Sequence, residues 1–317
     1  MPSSNIYANR IKNKNIKLSQ INLQRSPKTA LDFFGSQMHI EKDIIMITEP
    51  PMNKHGKACA FPVGTRTFVK DGPTNRVAIL VCNPYIKATL VSISDKVIAI
   101  AAEIGNFKMI LISAYCTPQG KNNRIVINDT LDEISSVIER YGGKNTVLSM
   151  DSNAHSTEWF DRITDARGKR VLEFIAANNL NILNCEGTPT FKPNRNMDRY
   201  KTSGETCIDL TLVGDSIAKL AHNWHVSMKD YISDHRHIEF ELTSRSIQLI
   251  EDLGSTVKYL TTERTLNKFI QEMDRKYNYR MEEIDNGGRR ATTAKEVESI
   301  THEIKEAAEK ELKKRRY

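Results

Sequence analysis

Short apolar runs separated by turn residues fill the first three quarters of this chain, and this alternation limits the folds it can adopt. Runs rich in Val, Ile and Leu, bounded by Gly, Pro, Asn and Asp, are typical of β-strands. The runs cover residues 18–23, 43–48, 76–82, 89–94, 97–104, 107–114, 145–150, 207–213 and 236–242. Because the four runs between residues 76 and 114 follow one another closely, we expect them to be antiparallel neighbours.

Helical patterns interrupt the strands at three places. Ser26 and Pro27 form an N-cap and a first-turn proline. An apolar stripe over residues 127–141 ends at Gly142, and residues 171–175 suggest a third helix. Many strands combined with a few long helices predict two packed sheets with helices on the outside.

The pattern changes after Leu242. Strand-like runs stop, and two amphipathic helical patterns follow, with Gly287-Gly288-Arg289-Arg290 between them. We therefore predict three regions: a basic arm at residues 1–16, a folded domain at 17–243, and a helical connector at 244–317. The connector is expected to lead towards a missing C-terminal partner, as in the front part of a longer polyprotein.

Charge is unevenly distributed along the 317 residues. The net charge is +7, residues 1–20 carry four basic and no acidic side chains, and residues 244–317 carry 16 basic and 14 acidic ones. The remaining residues hold 26 basic and 25 acidic side chains. This core is nearly neutral, so bulk charge alone does not indicate a polyanionic partner, and local clusters matter more.

Composition excludes two classes of protein. No apolar run approaches the length of a membrane-spanning helix. The five cysteines are odd in number and form no Cys-x-x-Cys pair, which favours a reducing compartment and argues against a structural zinc site. With no apolar signal segment at its start, the chain is expected to be intracellular and nuclear. The basic run 313–316 is either a nuclear address or ordinary charge at a helix C-terminus.

Polar side chains cluster at the ends of the predicted strands. Asp151 and Asn153 directly follow one apolar run, and their two-residue spacing points both side chains to the same face of an extended chain. Asp234 and His235 directly precede the last run. Hard cations such as Mg²⁺ prefer oxygen ligands, and a bound Mg²⁺ promotes phosphate ester hydrolysis. We predict that such groups meet at one edge of the sandwich; the others are Asn22, Glu49, Tyr115 and Asp209.

Each of these residues also fits an ordinary structural role when taken alone. Asp151 and Asn153 are residue types that cap turns. Glu49 precedes two prolines, as a solvated loop residue would, and Tyr115 fits a packed aromatic with a satisfied hydroxyl. The functional interpretation therefore depends on the ordered set rather than on any single residue.

Six short motifs carry a resemblance to a known superfamily. The motifs are Gln20-Ile21-Asn22-Leu23, Thr48-Glu49-Pro50, Ser113-Ala114-Tyr115, Asp151-Ser152-Asn153-Ala154-His155-Ser156, Ile208-Asp209-Leu210-Thr211 and Ser233-Asp234-His235. In this order they resemble the endonuclease/exonuclease/phosphatase superfamily. Within it, the Asp-x-Asn-Ala-His-Ser motif, the Gly187–Phe191 stretch and Ile-Asp-Leu-Thr are similar to the apurinic-like endonuclease domain of non-LTR retrotransposons. The resemblance covers roughly residues 17–243.

The resemblance implies a fold and a metal. The fold is a four-layer α-β-β-α sandwich, that is, two packed mixed sheets with outer helices, followed here by a helical tail. The cofactor is Mg²⁺, with Mn²⁺ as a substitute; Glu49 is the principal ligand, and Asn22 and Asp234 lie nearby. Gln24 stands where some relatives carry a second acidic residue, which favours one metal ion over two. Met150 stands where the superfamily usually has glycine.

The resemblance also implies catalytic roles. His235 should contact the scissile phosphate and be oriented by Asp209, which fixes its tautomer and supports its positive charge. Asp151 should activate the water or protonate the leaving oxygen, Asn153 should position it, and Tyr115 should donate a hydrogen bond to the phosphate. Whether Asp151 or His235 is the general base stays open.

Basic and aromatic residues predict where DNA would bind. The loop 190–201 mixes cations with aromatics, which suits phosphate contacts and insertion into a minor groove. A solvated hairpin tip is the plain alternative. The predicted DNA contacts are Thr190, Phe191, Lys192 and Arg195, with Lys121, Arg124 and Arg76 as further candidates.

The favoured function is a Mg²⁺-dependent DNA endonuclease that nicks one strand, leaves a 3′-hydroxyl and thereby primes reverse transcription. Its expected partners are double-stranded DNA and a C-terminal reverse transcriptase domain or its RNA. One alternative is an apurinic-site repair nuclease or another phosphoesterase of the same fold, such as a lipid phosphatase. A second alternative is an inactive relic that binds nucleic acid without cutting it.

Overall fold

Two units make up the chain, Met1–Leu249 and Ile250–Tyr317. The structure is a computed structural model. It describes residues 7, 15–36, 38–118, 126–193, 204–229 and 232–244 of the first unit, and residues 259–260, 268–276, 302–304, 306–308, 310 and 313–314 of the second.

Most of the apolar runs form two six-stranded sheets in the first unit. The first sheet has the order β11-β12-β1-β2-β4-β3, and the second has the order β5-β6-β7-β8-β10-β9. The strands are β1 Asn15–Asn22, β2 Ile44–Thr48, β3 Arg66–Val69, β4 Val77–Val81, β5 Lys87–Ile93, β6 Val97–Ile104, β7 Phe107–Tyr115, β8 Thr146–Asp151, β9 Leu180–Ile182, β10 Asp209–Gly214, β11 Ala221–Val226 and β12 Ile238–Thr243.

Five helices accompany the sheets. They are α1 Pro27–Gly35, α2 Met38–Glu41, α3 Val126–Tyr141, α4 Ala166–Ala177 and α5 Asp215–Ala218, with a short 3₁₀ turn at Thr157–Trp159. The predicted cap of α1 is present, since the Ser26 side chain accepts a hydrogen bond from the Thr29 backbone N–H and Pro27 opens the helix. Gly142 follows α3 with a φ of 97°, a conformation that glycine adopts without strain.

Both sheets are mixed, and each contains one parallel pair of strands that brings predicted site residues to the same edge. β1 runs parallel to β2 and β7 runs parallel to β8, whereas the other strand pairs of the two sheets are antiparallel. Because parallel strands end at the same edge, Asn22 pairs with Thr48, next to Glu49, and Tyr115 pairs with Asp151. Most of the predicted strand-end residues therefore lie at neighbouring strand ends.

Three apolar clusters separate four layers. Residues of both sheets, among them Leu18, Leu111 and Phe240, fill the space between the sheets. The second sheet buries its outer face under α3 and α4, with Trp159 among the fully buried residues. The first sheet buries its outer face under α1 through Phe33 and its neighbours. This arrangement confirms the four-layer sandwich.

One strand neighbour was predicted incorrectly. β4 does not lie beside β5; it pairs with β2 and β3 in the other sheet. Asn83, directly after β4, donates a side-chain hydrogen bond to Asp43 and so fixes the chain where it leaves the first sheet. Only β5, β6 and β7 form the expected antiparallel series. Sequence proximity is thus a poor guide where a turn lets the chain change sheets.

The second unit is described in short pieces. Residues 268–276 are helical, and β13 Tyr259–Leu260 pairs antiparallel with β14 Lys313–Lys314. The stretch 287–290 between the two predicted helices, and most of the second of these helices, lie outside the described residues. A search of the described residues for a helix long and apolar enough to cross a membrane found none.

Candidate active site

Asp151, the last residue of β8, lies at the centre of the strand-end cluster and is almost completely buried. Asn22 donates its side-chain N–H to Asp151 Oδ2 at 2.8 Å, and Asn153 donates to Asp151 Oδ1 at 3.0 Å. Asp209 stands directly opposite on the antiparallel strand β10. Both oxygens of Asp151 are therefore fixed, and a second carboxylate lies across the sheet from it.

This environment favours the protonated form of Asp151. Burial is the main cause and the negative charge of Asp209 adds to it, and together they raise the pKa of Asp151 from 3.8 to about 7. The positive charge of His235 and the hydrogen bond from Asn22 oppose this rise. Asp151 can consequently change its protonation state near neutral pH, which suits proton transfer.

His235 and Asp209 form a buried pair. His235 Nδ1 lies 2.8 Å from Asp209 Oδ2, and the two side chains are 8% and 3% exposed. Burial by itself would lower the pKa of His235, but the charge and hydrogen bond of Asp209 outweigh it and raise the pKa to about 9. The imidazole is therefore positively charged at neutral pH, as an electrostatic partner for a phosphate should be.

Asp151, Asp209 and His235 form one corner of the site, and Glu49 with Arg76 forms a second corner. Glu49 has a left-handed backbone conformation, with a φ of 48°. Backbone bonds hold it there, from its own N–H to Arg76 O at 2.7 Å and from Arg25 N–H to Glu49 O at 2.8 Å. Arg76 Nη1 pairs with Glu49 Oε1 at 3.0 Å. The charge of Glu49 contributes to the raised pKa of both Asp151 and His235, so the three side chains lie near one another.

Tyr115 connects the two corners. Its hydroxyl hydrogen-bonds to Glu49, and the Arg76 guanidinium carbon lies 5.7 Å from the centre of its ring. Burial first, and then the charges of Glu49 and Asp151, raise the pKa of Tyr115 well above its usual value. The hydroxyl therefore stays protonated and can donate a hydrogen bond.

Asp234 is held at the rim by Gln24. Gln24 Nε2 donates to Asp234 Oδ2 at 3.0 Å, and the Asp234 backbone N–H donates to Gln24 Oε1 at 3.2 Å. Ser233 Oγ donates to Asn22 O at 2.8 Å and accepts from the His235 N–H at 3.1 Å. These bonds tie the loop before β12 to the end of β1.

The residues of the pocket fit a divalent cation. One atom each from Asp151, Asp209 and His235 lies within 4.8 Å of the others. Glu49 adds a further carboxylate and Asn22 an amide, and such oxygen ligands suit hard cations. The repulsion that raises the pKa of Asp151 is also a repulsion that a nearby cation would relieve. The specific ligand set Glu49, Asn22 and Asp234 stays a prediction.

The predicted DNA-contacting residues differ in their exposure and in their contacts. Phe191 packs edge-on against His235 with ring centres 4.9 Å apart, and Lys192 lies at the surface 3.3 Å from Glu205. Arg76 is engaged by Glu49. Lys121, Arg124 and Arg195 lie outside the described residues.

Thr190 requires a correction. Its side chain is fully buried and accepts hydrogen bonds from the backbone N–H groups of Ile208 and Asp209 at 3.1 and 3.0 Å. It therefore has no exposed surface for a DNA contact. Instead it fixes the start of β10, where Asp209 must face His235.

Two residues outside the predicted set also contact the site. Gln24, which the resemblance marks only as the replacement of an acidic residue, donates a hydrogen bond that holds Asp234. Arg167, in the first turn of α4, donates hydrogen bonds to backbone next to Asp151. No sequence signal distinguishes this arginine from the many surface cations.

Known proteins are similar to this chain in sequence and in fold. A family model described as endonuclease-reverse transcriptase matches residues 109–239. The Retrovirus-related Pol polyprotein from type-1 retrotransposable element R1 of Bradysia coprophila is 23% identical over 200 residues, or 59% of this chain. The chain spans only 18% of that relative's length.

Two solved structures show the same fold. The endonuclease domain of TRAS1, a telomere-specific non-LTR retrotransposon, matches with a TM-score of 0.59 and 24% identity over 72% of this chain and 98% of that one. The AP endonuclease LMAP from Leishmania major matches with a TM-score of 0.55 and 10% identity over 73% and 88% of the two chains.

The two packed sheets give this chain the α/β sandwich fold of these two solved structures. The chain is similar in sequence and in fold to members of the endonuclease/exonuclease/phosphatase superfamily. Its likeness is to the retrotransposon endonucleases of that superfamily, which confirms the resemblance read from the six motifs.

Proposed function

We propose that this chain is a divalent-metal-dependent DNA endonuclease that hydrolyses one phosphodiester bond and leaves a 3′-hydroxyl. One observation carries the proposal: Asp151 and the buried His235–Asp209 pair lie together at the strand ends. Both carboxylate oxygens of Asp151 are held there by hydrogen bonds. A structural role alone would not require three buried ionisable groups within 4.8 Å of one another.

The charges support distinct roles in the reaction. A water oxygen attacks phosphorus, the bond from phosphorus to the 3′-oxygen breaks, and the leaving oxygen gains a proton. His235 is already protonated at neutral pH, so it suits binding a phosphate oxygen rather than accepting a proton. Asp151, with a pKa of about 7, suits taking the proton from water and passing one to the leaving oxygen. Tyr115 donates a further hydrogen bond to the phosphate.

The metal would add charge stabilisation that these side chains cannot supply. Glu49, Asn22 and Asp234 would hold Mg²⁺, or Mn²⁺ in its place, and the bound ion would neutralise charge on the phosphate and the leaving oxygen. Asn153 would orient the water beside Asp151, since its amide already donates to that carboxylate.

The R1 likeness is the basis for a proposed biological setting. We propose that the nick primes reverse transcription in the nucleus, and that a reverse transcriptase domain or its RNA is the partner of this domain. The chain's similarity to a retrotransposon Pol polyprotein supports the reverse transcriptase partner. Phe191, Lys192 and Arg76 are proposed to contact the duplex near the cut, together with Arg195, Lys121 and Arg124.

Incubation of the full chain with Mg²⁺ and supercoiled plasmid, an abasic duplex, or phospholipid vesicles tests the proposal. We expect nicking of intact plasmid, loss of nicking with EDTA, and nicks that a DNA polymerase extends directly, because each carries a 3′-hydroxyl. His235→Ala should bind DNA but not nick it. Cleavage of the abasic duplex alone would instead identify a repair nuclease, and DNA binding without any cleavage would identify an inactive relic.

A further inference from the structure

Arg167 lies in the first turn of α4 and is 8% exposed. Its Nε donates to Asn153 O at 2.8 Å, and its Nη2 donates to Thr117 O at 3.0 Å and to Ser152 O at 3.1 Å. Within the described part of the chain, no acidic side chain forms an ion pair with it. The buried guanidinium is therefore satisfied by backbone carbonyl groups.

The three carbonyls belong to the segments that leave the catalytic strands. Thr117 follows the end of β7, which carries Tyr115, and Ser152 and Asn153 follow the end of β8, which carries Asp151. Asn153 has a left-handed φ of 46°, which is costly for a residue other than glycine. The Arg167 guanidinium thus joins the segments that follow the neighbouring strands β7 and β8. One of the residues it holds is the strained Asn153, close to Asp151.

Close packing at the start of α4 fixes the position of the Arg167 guanidinium. A Cβ atom on Gly168 would lie 1.8 Å from the carbonyl oxygen of His155, so only glycine permits this approach. Asp165 caps the helix by accepting from the Gly168 N–H at 2.6 Å, and it also accepts from the His155 N–H at 3.3 Å. α4 and the segment after Asp151 are therefore locked together.

We propose that Arg167 is a positioning residue for the hydrolysis: it sets Asp151, Asn153 and Tyr115 relative to one another by clamping the backbone that follows them. This proposal rests on the proposed endonuclease function. Lysine cannot replace the clamp, because an ammonium group lacks the planar fork that reaches acceptors on both strands at once. A displacement of about 1 Å in a catalytic group costs about 10²-fold in rate.

The test uses the full chain with Arg167→Lys, Arg167→Met and Arg167→Ala. Arg170→Met is the matched control. Arg170 lies three residues after Arg167 on the same helix, but its side chain is 48% exposed and pairs with Glu173. In steady-state plasmid nicking, we expect Arg167→Met and Arg167→Lys to lower kcat about 10²-fold while KM changes less than about threefold. Added guanidinium ion, below unfolding concentrations, should restore part of kcat to Arg167→Ala and none to His235→Ala. Arg170→Met should nick like the wild type.

Hydrogen–deuterium exchange supplies a readout that is independent of activity. Loss of the clamp should speed exchange in residues 116–118 and 152–156 without affecting the far end of α4. Wild-type kcat in a folded Arg167→Lys variant, or unchanged exchange in both segments, would overturn the proposal; if Arg167→Met does not fold, the lysine variant decides. If the wild-type chain cuts no DNA, the endonuclease function fails, whereas the exchange result still decides whether Arg167 holds these segments.

Discussion

The two corners of the pocket differ in how their charges are balanced. In the first, Asp151, Asp209 and His235 are all buried; His235 is hydrogen-bonded to Asp209, and Asp151 accepts hydrogen bonds from Asn22 and Asn153. In the second, Glu49 and Arg76 form an ion pair whose side chains are 19% and 32% exposed. The charge state of the buried corner is consequently set by the fold, whereas that of the open corner depends on which cation or phosphate is present.

This difference assigns separate tasks to the corners. Burial raises the pKa of Asp151 and Asp209 raises that of His235, so proton transfer and phosphate charge stabilisation belong to the buried corner. Glu49 is only partly buried, so it can exchange Arg76 for a metal ion at a lower desolvation cost than the fully buried carboxylates would incur. Variants at the two corners should therefore fail in different ways.

The largest effect is expected from Asp151→Asn. Removing the proton acceptor should lower kcat by about 10³-fold or more. Because the neutral amide also removes a buried charge repelled by Asp209, the variant should have a higher Tm than the wild type in EDTA. Plasmid nicking and thermal unfolding measure the two effects.

Glu49→Gln is the matched control at the open corner. It should also lose activity, but through weaker metal binding, and its Tm in EDTA should stay close to that of the wild type because a partly exposed ion pair contributes little to stability. A lower Tm for Asp151→Asn than for Glu49→Gln would contradict the distinction between the corners.

Gln24→Ala should have the next largest effect. Its side chain holds Asp234, a predicted metal ligand, at the rim. Loss of such a supporting partner typically lowers metal affinity about 10- to 100-fold. Titration of nicking activity with Mg²⁺, and calorimetric titration with Mn²⁺, should show weaker binding with kcat largely recovered at saturating metal. An unchanged metal affinity would show that Asp234 is not a ligand or needs no support.

The pH dependence of stability sharpens the comparison further. Asp151 keeps its proton in the folded state up to about pH 7, whereas its ordinary pKa is 3.8. The folded state therefore binds more protons than the unfolded state between these values, so the free energy of unfolding should fall as pH rises across this window. His235 behaves alike: its contribution is complete below pH 6.5 and is lost as pH rises through about 9.

Each of these two groups should change the free energy of unfolding by at most about 1.4 kcal/mol per pH unit, the limit reached when it is protonated in the folded state and deprotonated in the unfolded state. Urea denaturation in EDTA at a series of pH values measures this slope. Asp151→Asn should flatten it between pH 4 and 7, and Glu49→Gln should not. A wild-type slope in Asp151→Asn would show that other groups carry the pH dependence.

Much of this site was predictable because its residues sit at strand ends. Asp151, Tyr115 and Asn22 follow apolar runs, and parallel pairing brings the ends of such runs to one edge. The prediction for Thr190 is wrong because a threonine beside cations in the sequence suggests exposure, whereas its hydroxyl bonds to the backbone N–H groups of Ile208 and Asp209, which are distant in sequence. The sheet change after β4 and the contacts of Arg167 likewise depend on residues distant in sequence, which periodicity does not report.

The smallest effect is expected from Lys192→Ala, which tests the DNA contacts beside the buried corner. Lys192 is 42% exposed, pairs with Glu205, and its backbone N–H donates to Asp234 O at 2.8 Å, so a phosphate contact there would lie close to His235. Losing one phosphate contact should reduce the salt slope of DNA affinity by about 1. Lys144→Ala, at an exposed lysine just before the start of β8, should leave the slope unchanged. Fluorescence anisotropy at several salt concentrations compares the two variants, and equal slopes would place the DNA elsewhere on the sandwich rim.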